Sequence, residues 1–259
     1  MKTILSSLII ITISTMSTQT VSAQENLFEA RQYQSEDGNL LNYRLLIPEG
    51  YDPDVSYPLV LFLHGAGERG DDNSAQLTWG VTRFAEDEIM KKYPAIVIAP
   101  QVPAEEFWAH LNWRQTDLET RDEPRMPLAL SMEVLDQIID DYPVDTNRLY
   151  ITGLSMGGFG TWDAIIRYPD KFAAAIPVCG GGDISKAGLI SKIPIWTFHG
   201  SLDDVVPPSL SRAMVHAIQE AGGHPGYTEY PGVGHDSWIP VYNDDYVIDW
   251  LFSQSLERE

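Results

Sequence analysis

Hydrophobic and polar residues change period repeatedly along this chain. Short apolar runs at residues 59–63, 95–99, 149–152, 173–178 and 193–198 have the length and continuity of strands buried on both faces. Between them the spacing becomes helical: Val134, Leu135, Ile138, Ile139 and Tyr142 share one face, and residues 159–166 are apolar at helical intervals. Tyr242, Tyr246, Val247, Trp250 and Leu251 predict a single closing helix, and residues 29–35 and 40–48 an opening strand pair that turns at Asp37-Gly38. Strands that alternate with helices predict an α/β domain built on a mostly parallel central sheet with helices on both faces. One stretch breaks the alternation. Between Gln101 and Met126, about two dozen residues carry Phe107, Trp108, Trp113, several charges and two prolines. A long connection at the carboxyl ends of the strands suits a ligand-pocket wall, so Trp79, Trp113 and Trp238 are the candidate substrate-binding aromatics.

The chemistry concentrates where strands stop. Gly153-Leu154-Ser155-Met156-Gly157 lies between a strand and a helix, where glycines two residues either side of a serine allow a sharp turn. Such a turn exposes the Ser155 hydroxyl and leaves the Met156 amide free to bind an oxyanion. A serine needs a base, and His235, in the glycine-rich segment Pro231-Gly-Val-Gly-His235, is the candidate, because imidazole titrates near neutrality. Between the two, the strand ending at His199-Gly200 is followed by Asp203-Asp204, so the order serine, acid, histidine is kept. The run from Leu59 ends in His64-Gly-Ala-Gly-Glu-Arg-Gly70, a turn whose Ala66 amide is the second oxyanion donor, with Gly67 as fallback. Glu68 and Arg69 read as an ion pair bracing that turn. The remaining histidines, His64, His110, His199, His216 and His224, read as structural or surface residues. Asp117, Glu119, Asp122 and Glu123 read as a solvated face, since no histidine is interleaved to make a metal site.

Together the HGAGERG turn, the GLSMGG elbow, HGSLDDVVP and PGVGHDSW resemble secreted bacterial carboxylesterases, dienelactone hydrolases and feruloyl esterases of the α/β-hydrolase superfamily, over roughly residues 40–252. The resemblance implies a serine hydrolase acting on carboxylic esters, with no metal or organic cofactor, and a small-molecule or cell-wall ester as substrate. It also implies that Asp203, the first acid of the pair, is the triad member. A prolyl-oligopeptidase-type peptidase shares these motifs but usually carries a large additional domain, for which this chain leaves no room. A non-catalytic module of the same fold would usually have lost its nucleophile or base, and both are kept here.

Composition narrows the setting. Residues 1–23 combine an early lysine, an apolar core at 8–13 and Val21-Ser-Ala23 before Gln24, which reads as a secretory leader with a small-residue cleavage site. That core is too short to span a bilayer, so no stable membrane anchor is expected; the mature chain, residues 24–259, reads as one catalytic domain in the periplasm or outside the cell. The formal charge of −20 disfavours nucleic acid and anionic lipid, which both depend on clustered lysine and arginine. The one cysteine, Cys179, follows an apolar run and reads as buried packing. The pattern says nothing of oligomeric state.

Overall fold

A computed structural model describes residues 23–110 and 118–256, and within these the alternation becomes an eight-stranded sheet. The strands are β1 (Phe28–Gln34), β2 (Leu40–Leu46), β3 (Tyr57–Leu63), β4 (Ile96–Gln101), β5 (Val144–Leu154), β6 (Ala174–Val178), β7 (Trp196–Gly200) and β8 (Gly226–Tyr230). They lie in the order β1-β2-β4-β3-β5-β6-β7-β8. β1 and β2 form an antiparallel pair and β2 runs antiparallel to β4, whereas every pairing from β4 to β8 is parallel. β3 and β4 are buried along their whole length, which is why their sequences show no polar alternation.

Helices cover both faces. The helices are α1 (Asp87–Lys92), α2 (Met126–Asp141), α3 (Met156–Arg167), α4 (Ser209–Glu220), α5 (Trp238–Tyr242) and α6 (Asp245–Phe252). Leu128, Val134, Leu135 and Ile138 of α2, Trp162 and Ile165 of α3, and Met214 and Ile218 of α4 form one apolar layer with Leu59, Leu61, Leu149 and Ile151. Ile89, Val241, Tyr242, Val247, Ile248 and Leu251 form the other, against Val60, Phe62, Val97 and Ile176. The central strands β3, β4 and β5 thus contribute alternate side chains to two cores.

Two expectations need correction. Tyr142 is not in the helix with Val134 and Ile138: α2 stops at Asp141, and Tyr142 is extended (φ −131°, ψ 153°) because Pro143 disfavours helical backbone before it. The closing segment is two helices rather than one. The break falls at Asn243-Asp244, where the Asp244 carboxylate accepts from the Tyr246 N–H and caps a new helix. Tyr242 therefore ends α5, where its hydroxyl lies 2.9 Å from Thr152 Oγ1 beneath the sheet.

Candidate active site

Ser155 sits where β5 meets α3, at φ 52° and ψ −116°. This is left-handed backbone that a non-glycine residue occupies at a cost of order 1–3 kcal/mol. Its surroundings force the turn. A Cβ at Gly157 would stand 1.9 Å from the Leu63 carbonyl oxygen, and one at Gly158 would stand 2.2 Å from that of Val178. The helix must therefore begin pressed against the ends of β3 and β6. The Ser155 N–H donates to the Val178 carbonyl at 3.0 Å and pins the turn to β6.

The Ser155 hydroxyl lies 2.8 Å from His235 Nε2, and His235 Nδ1 lies 2.7 Å from Asp203 Oδ2. The serine is half-buried and the His235 side chain is 19% exposed, so a reactant can reach both, whereas the Asp203 side chain is wholly buried. Burial alone would raise the Asp203 pKa. Hydrogen bonds from His199, His235 and the Val206 N–H outweigh it and hold the carboxyl well below the usual range. The carboxylate therefore stays ionised and fixes His235 with its proton on Nδ1, leaving Nε2 to accept from serine. Asp204, by contrast, is exposed.

Met156 is the first residue of α3, so its N–H has no intrahelical partner. Ala66 opens a short 3₁₀ turn, residues Ala66–Glu68, directly after β3. A Cβ on Gly65 would come within 2.8 Å of Leu154 Cδ1, so this turn and the serine turn abut. Ala66 and Met156 thus follow the ends of the adjoining strands β3 and β5. The expected Glu68–Arg69 ion pair is replaced by other contacts. Arg69 donates to the Ala66 carbonyl at 2.9 Å and lies over the Phe107 ring at 4.8 Å, and backbone N–H groups of Gly65 and Glu68 bond the Glu68 carboxyl, whose pKa burial raises. The turn is braced, though by different partners.

Trp238 stands edge-on to His235 with ring centroids 5.2 Å apart, and Trp79 lies 6.3 Å beyond it. Both border a cavity of about 160 Å³ shared with Arg83, Ile239 and Asn243. Trp79 is 41% exposed, and the Trp238 indole N–H is buried with no hydrogen-bond partner among the described residues. Trp113 lies outside the described residues. Trp108, from the same connection, is fully buried and donates to the His64 carbonyl at 2.9 Å, which anchors the connection to β3.

Cys179 Sγ lies within 4.8 Å of ligand atoms of Asp203 and His235. The trio does not suit a metal, because Asp203 and His235 are spent on each other and burial pushes the Cys179 thiol up, away from the thiolate that metals bind.

A mostly parallel sheet with a strained serine between strand and helix, followed in the chain by an acid and a histidine that meet it in space, is the α/β-hydrolase architecture. The chain belongs to the phospholipase/carboxylesterase family of that fold, whose pattern matches residues 52–243. Among solved structures it is similar to a thermostable esterase, at 44% identity and a TM-score of 0.85, over 90% of this chain and 64% of that one. It is 28% identical to a probable carboxylesterase of Oryza sativa subsp. japonica, over 69% of this chain and 81% of the relative. It is 37% identical to a bifunctional acetylxylan esterase/xylanase of Neocallimastix patriciarum, over 29% of this chain and 11% of the relative. The chain thus spans under two thirds of both the thermostable esterase and the bifunctional enzyme.

Proposed function

We propose that this protein is an exported serine esterase that hydrolyses carboxylic esters of short or aromatic acyl groups through an acyl-enzyme. The observation that carries the reading is the unbroken hydrogen-bonded chain from Ser155 Oγ to His235 (2.8 Å) and on to Asp203 (2.7 Å). Ser155 Oγ attacks the ester carbonyl while His235 Nε2 takes its proton. The carbonyl oxygen becomes an oxyanion held by the Met156 and Ala66 amides, and Asp203 compensates the imidazolium. Collapse breaks the bond to the alcohol, which leaves with the proton from His235. Water, deprotonated in turn by His235, then releases the acid and regenerates the serine. Every proton is returned within this cycle by the chain's own residues.

The acyl preference is supported by Trp238, whose ring stands edge-on to His235 and also lines the cavity it shares with Trp79; aromatic contact there adds about 0.5–1.5 kcal/mol beyond area burial. The formal charge of −20 disfavours anionic lipid surfaces. Among the described residues no helix is long and apolar enough to cross a membrane. Export rests on residues 1–23 as a leader, so mature protein should begin at Gln24.

The test is side-by-side hydrolysis of acetyl, butyryl, feruloyl and palmitoyl esters and a peptide anilide, with Ser155→Ala as control. Acetyl, butyryl or feruloyl esters should give the highest kcat/KM. The alanine variant should lose about 10⁶-fold in kcat while remaining folded. Faster turnover of the palmitoyl ester or the anilide would point to a lipase or peptidase, and a tenth of wild-type activity surviving in Ser155→Ala would sink the mechanism.

A further inference from the structure

β7 ends in His199-Gly200, and the His199 imidazole is wholly buried. Its Nε2 lies 3.1 Å from Asp203 Oδ2 and 3.0 Å from the Val206 carbonyl oxygen. A peptide carbonyl only accepts, and the Asp203 carboxyl is held ionised, so Nε2 carries a proton and donates. On the far side of the ring, Nδ1 lies 2.7 Å from Ser211 Oγ of α4, which is 2.9 Å from the Gly180 carbonyl oxygen.

Asp203 is consequently saturated. Its Oδ2 receives N–H groups from two imidazoles, His235 at 2.7 Å and His199 at 3.1 Å, while Oδ1 receives the amides of Val205 at 2.9 Å and Val206 at 2.8 Å. Those four donors match the four lone-pair directions of a carboxylate. The two amides hold Oδ1, and His199 is the buried donor that holds Oδ2 from the side away from His235, so it adds a further anchor to the plane of the carboxylate.

Packing alone does not account for a histidine here. Phe159, Val206 and Leu210 form an apolar cluster beside this strand end, and an apolar ring in such a place would avoid the cost of burying two polar nitrogens. The backbone is also shaped for the approach: a Cβ on Gly200 would stand 2.1 Å from the Gly234 carbonyl oxygen, so the loop carrying His235 is drawn against the residue that follows His199.

We propose that His199 is a positioning residue for Asp203, making the hydrogen-bonded chain Ser211–His199–Asp203–His235–Ser155 rather than a three-residue chain. The proposal rests on the esterase reading above. Without the His199 donor, the carboxylate keeps its Oδ1 anchors but loses the one that holds Oδ2 from behind, so its plane is less firmly set towards His235 Nδ1 and the base loses orientation rather than its substrate. The loss should therefore appear in kcat, with KM little changed.

His199→Phe, His199→Gln and Ser211→Ala are to be compared with wild type on the best ester, and by proton NMR of the far-downfield His235 Nδ1–H line. His199→Phe should lower kcat by about 10- to 100-fold, the range typical when a group that orients a ligand from behind is removed, and should shift the line. His199→Gln, whose amide N–H can stand in for Nε2–H, should recover much of the rate and move the line back. Wild-type kcat with an unmoved line in His199→Phe would overturn the proposal, as would a glutamine variant no better than phenylalanine with the line unmoved in both. If His199→Phe does not fold, Ser211→Ala decides: reduced kcat with a shifted line supports the relay, and neither change refutes it. The line is read without turnover, so a Ser155→Ala variant that keeps its activity would sink the serine mechanism on which the proposal rests while leaving the hydrogen-bond result to stand by itself.

Discussion

His64 and His199 occupy equivalent places and do opposite things. Each is a buried imidazole at the end of a parallel strand, His64 just past β3 and His199 within β7, and each is followed by glycine. Around His64, the Val102 N–H points at Nε2 from 3.0 Å and the Gly65 carbonyl faces Nδ1 at 2.6 Å, so one donor and one acceptor select a neutral ring. Burial, aided by the nearby Arg69 charge, pushes its pKa down to about 4. Around His199 the Nε2 side meets only acceptors, one of them the Asp203 carboxylate. What separates the two is the chain after the glycine. After Gly65 it turns tightly through Ala66–Glu68, whereas after Gly200 it brings the carboxylate of Asp203, four residues on from His199, back onto the ring. The same dipeptide thus leads into a tight 3₁₀ turn at one strand end and into a loop that returns a carboxylate to the imidazole at the other.

The severest way to break this contrast is at the acid. In Asp203→Asn, the single oxygen can serve the Val205 and Val206 amides or the imidazoles, and either choice sets an amide NH2 against existing N–H donors. The expected outcome is a fall in kcat of about 10⁴-fold, the loss seen when the acid of a comparable triad becomes an amide. Asp204→Asn, at an exposed position, should leave kcat close to wild type. Ester hydrolysis by the two purified variants decides it, and greater damage in the Asp204 variant would move the acid by one residue.

Much of this geometry was legible in the sequence because it is local. The elbow is written in Gly153, Gly157 and Gly158, each of which is needed where strand ends crowd the turn. The parallel strands are legible as unbroken apolar runs, because both faces are covered. The partners of His199, read from the sequence only as a structural or surface residue, were not legible. Its contact with Asp203 depends on the path of the loop from Gly200 to Val206, and its contact with Ser211 on how α4 docks, neither of which has a residue-level signature. The break at Asn243-Asp244 was missed because apolar periodicity continues across it; the capping aspartate was the available signal. The Glu68–Arg69 pairing failed for the opposite reason: neighbouring opposite charges suggested an ion pair, while the folded turn offered each a nearer backbone partner.

An intermediate effect separates the two strand ends by pH. Because burial holds the folded-state pKa of His64 at about 4, against 6.5 for a free imidazole, its contribution to stability is fully present above pH 6.5 and is lost as pH falls towards 4. The difference is worth up to about 3 kcal/mol at about 1.36 kcal/mol per pKa unit. Asp203 is also depressed, but from 3.8, so its stabilising contribution is present above that value and is lost only at more acid pH. Urea unfolding of wild type and His64→Asn from pH 7 to 4 should therefore give curves that converge as pH falls, the variant being the less pH-sensitive. Taking the difference removes Glu68 and Asp163, whose pKa values burial raises and whose contributions run the other way. Parallel curves would mean that His64 charges without cost, and the contrast with His199 would collapse.

The smallest effect belongs one strand further out, at an ion pair that shows what solvent does to the same chemistry. Glu229 of β8 lies in register with His199 and, like Asp203, is an ionised carboxylate with several donors. Arg212 holds it through two bonds, of 2.8 and 2.6 Å, and with Tyr227 lowers its pKa to about 2. The Arg212 side chain is 54% exposed, however, so water and salt screen most of this attraction. Arg212→Ala should cost less than about 1 kcal/mol of stability, shrink further at high salt and leave kcat unchanged. Chemical unfolding at low and high ionic strength, with ester hydrolysis alongside, measures all three. A loss as large as that at His64, or a fall in kcat, would show that the relay behind Asp203 extends through β8 to the surface instead of ending at Ser211.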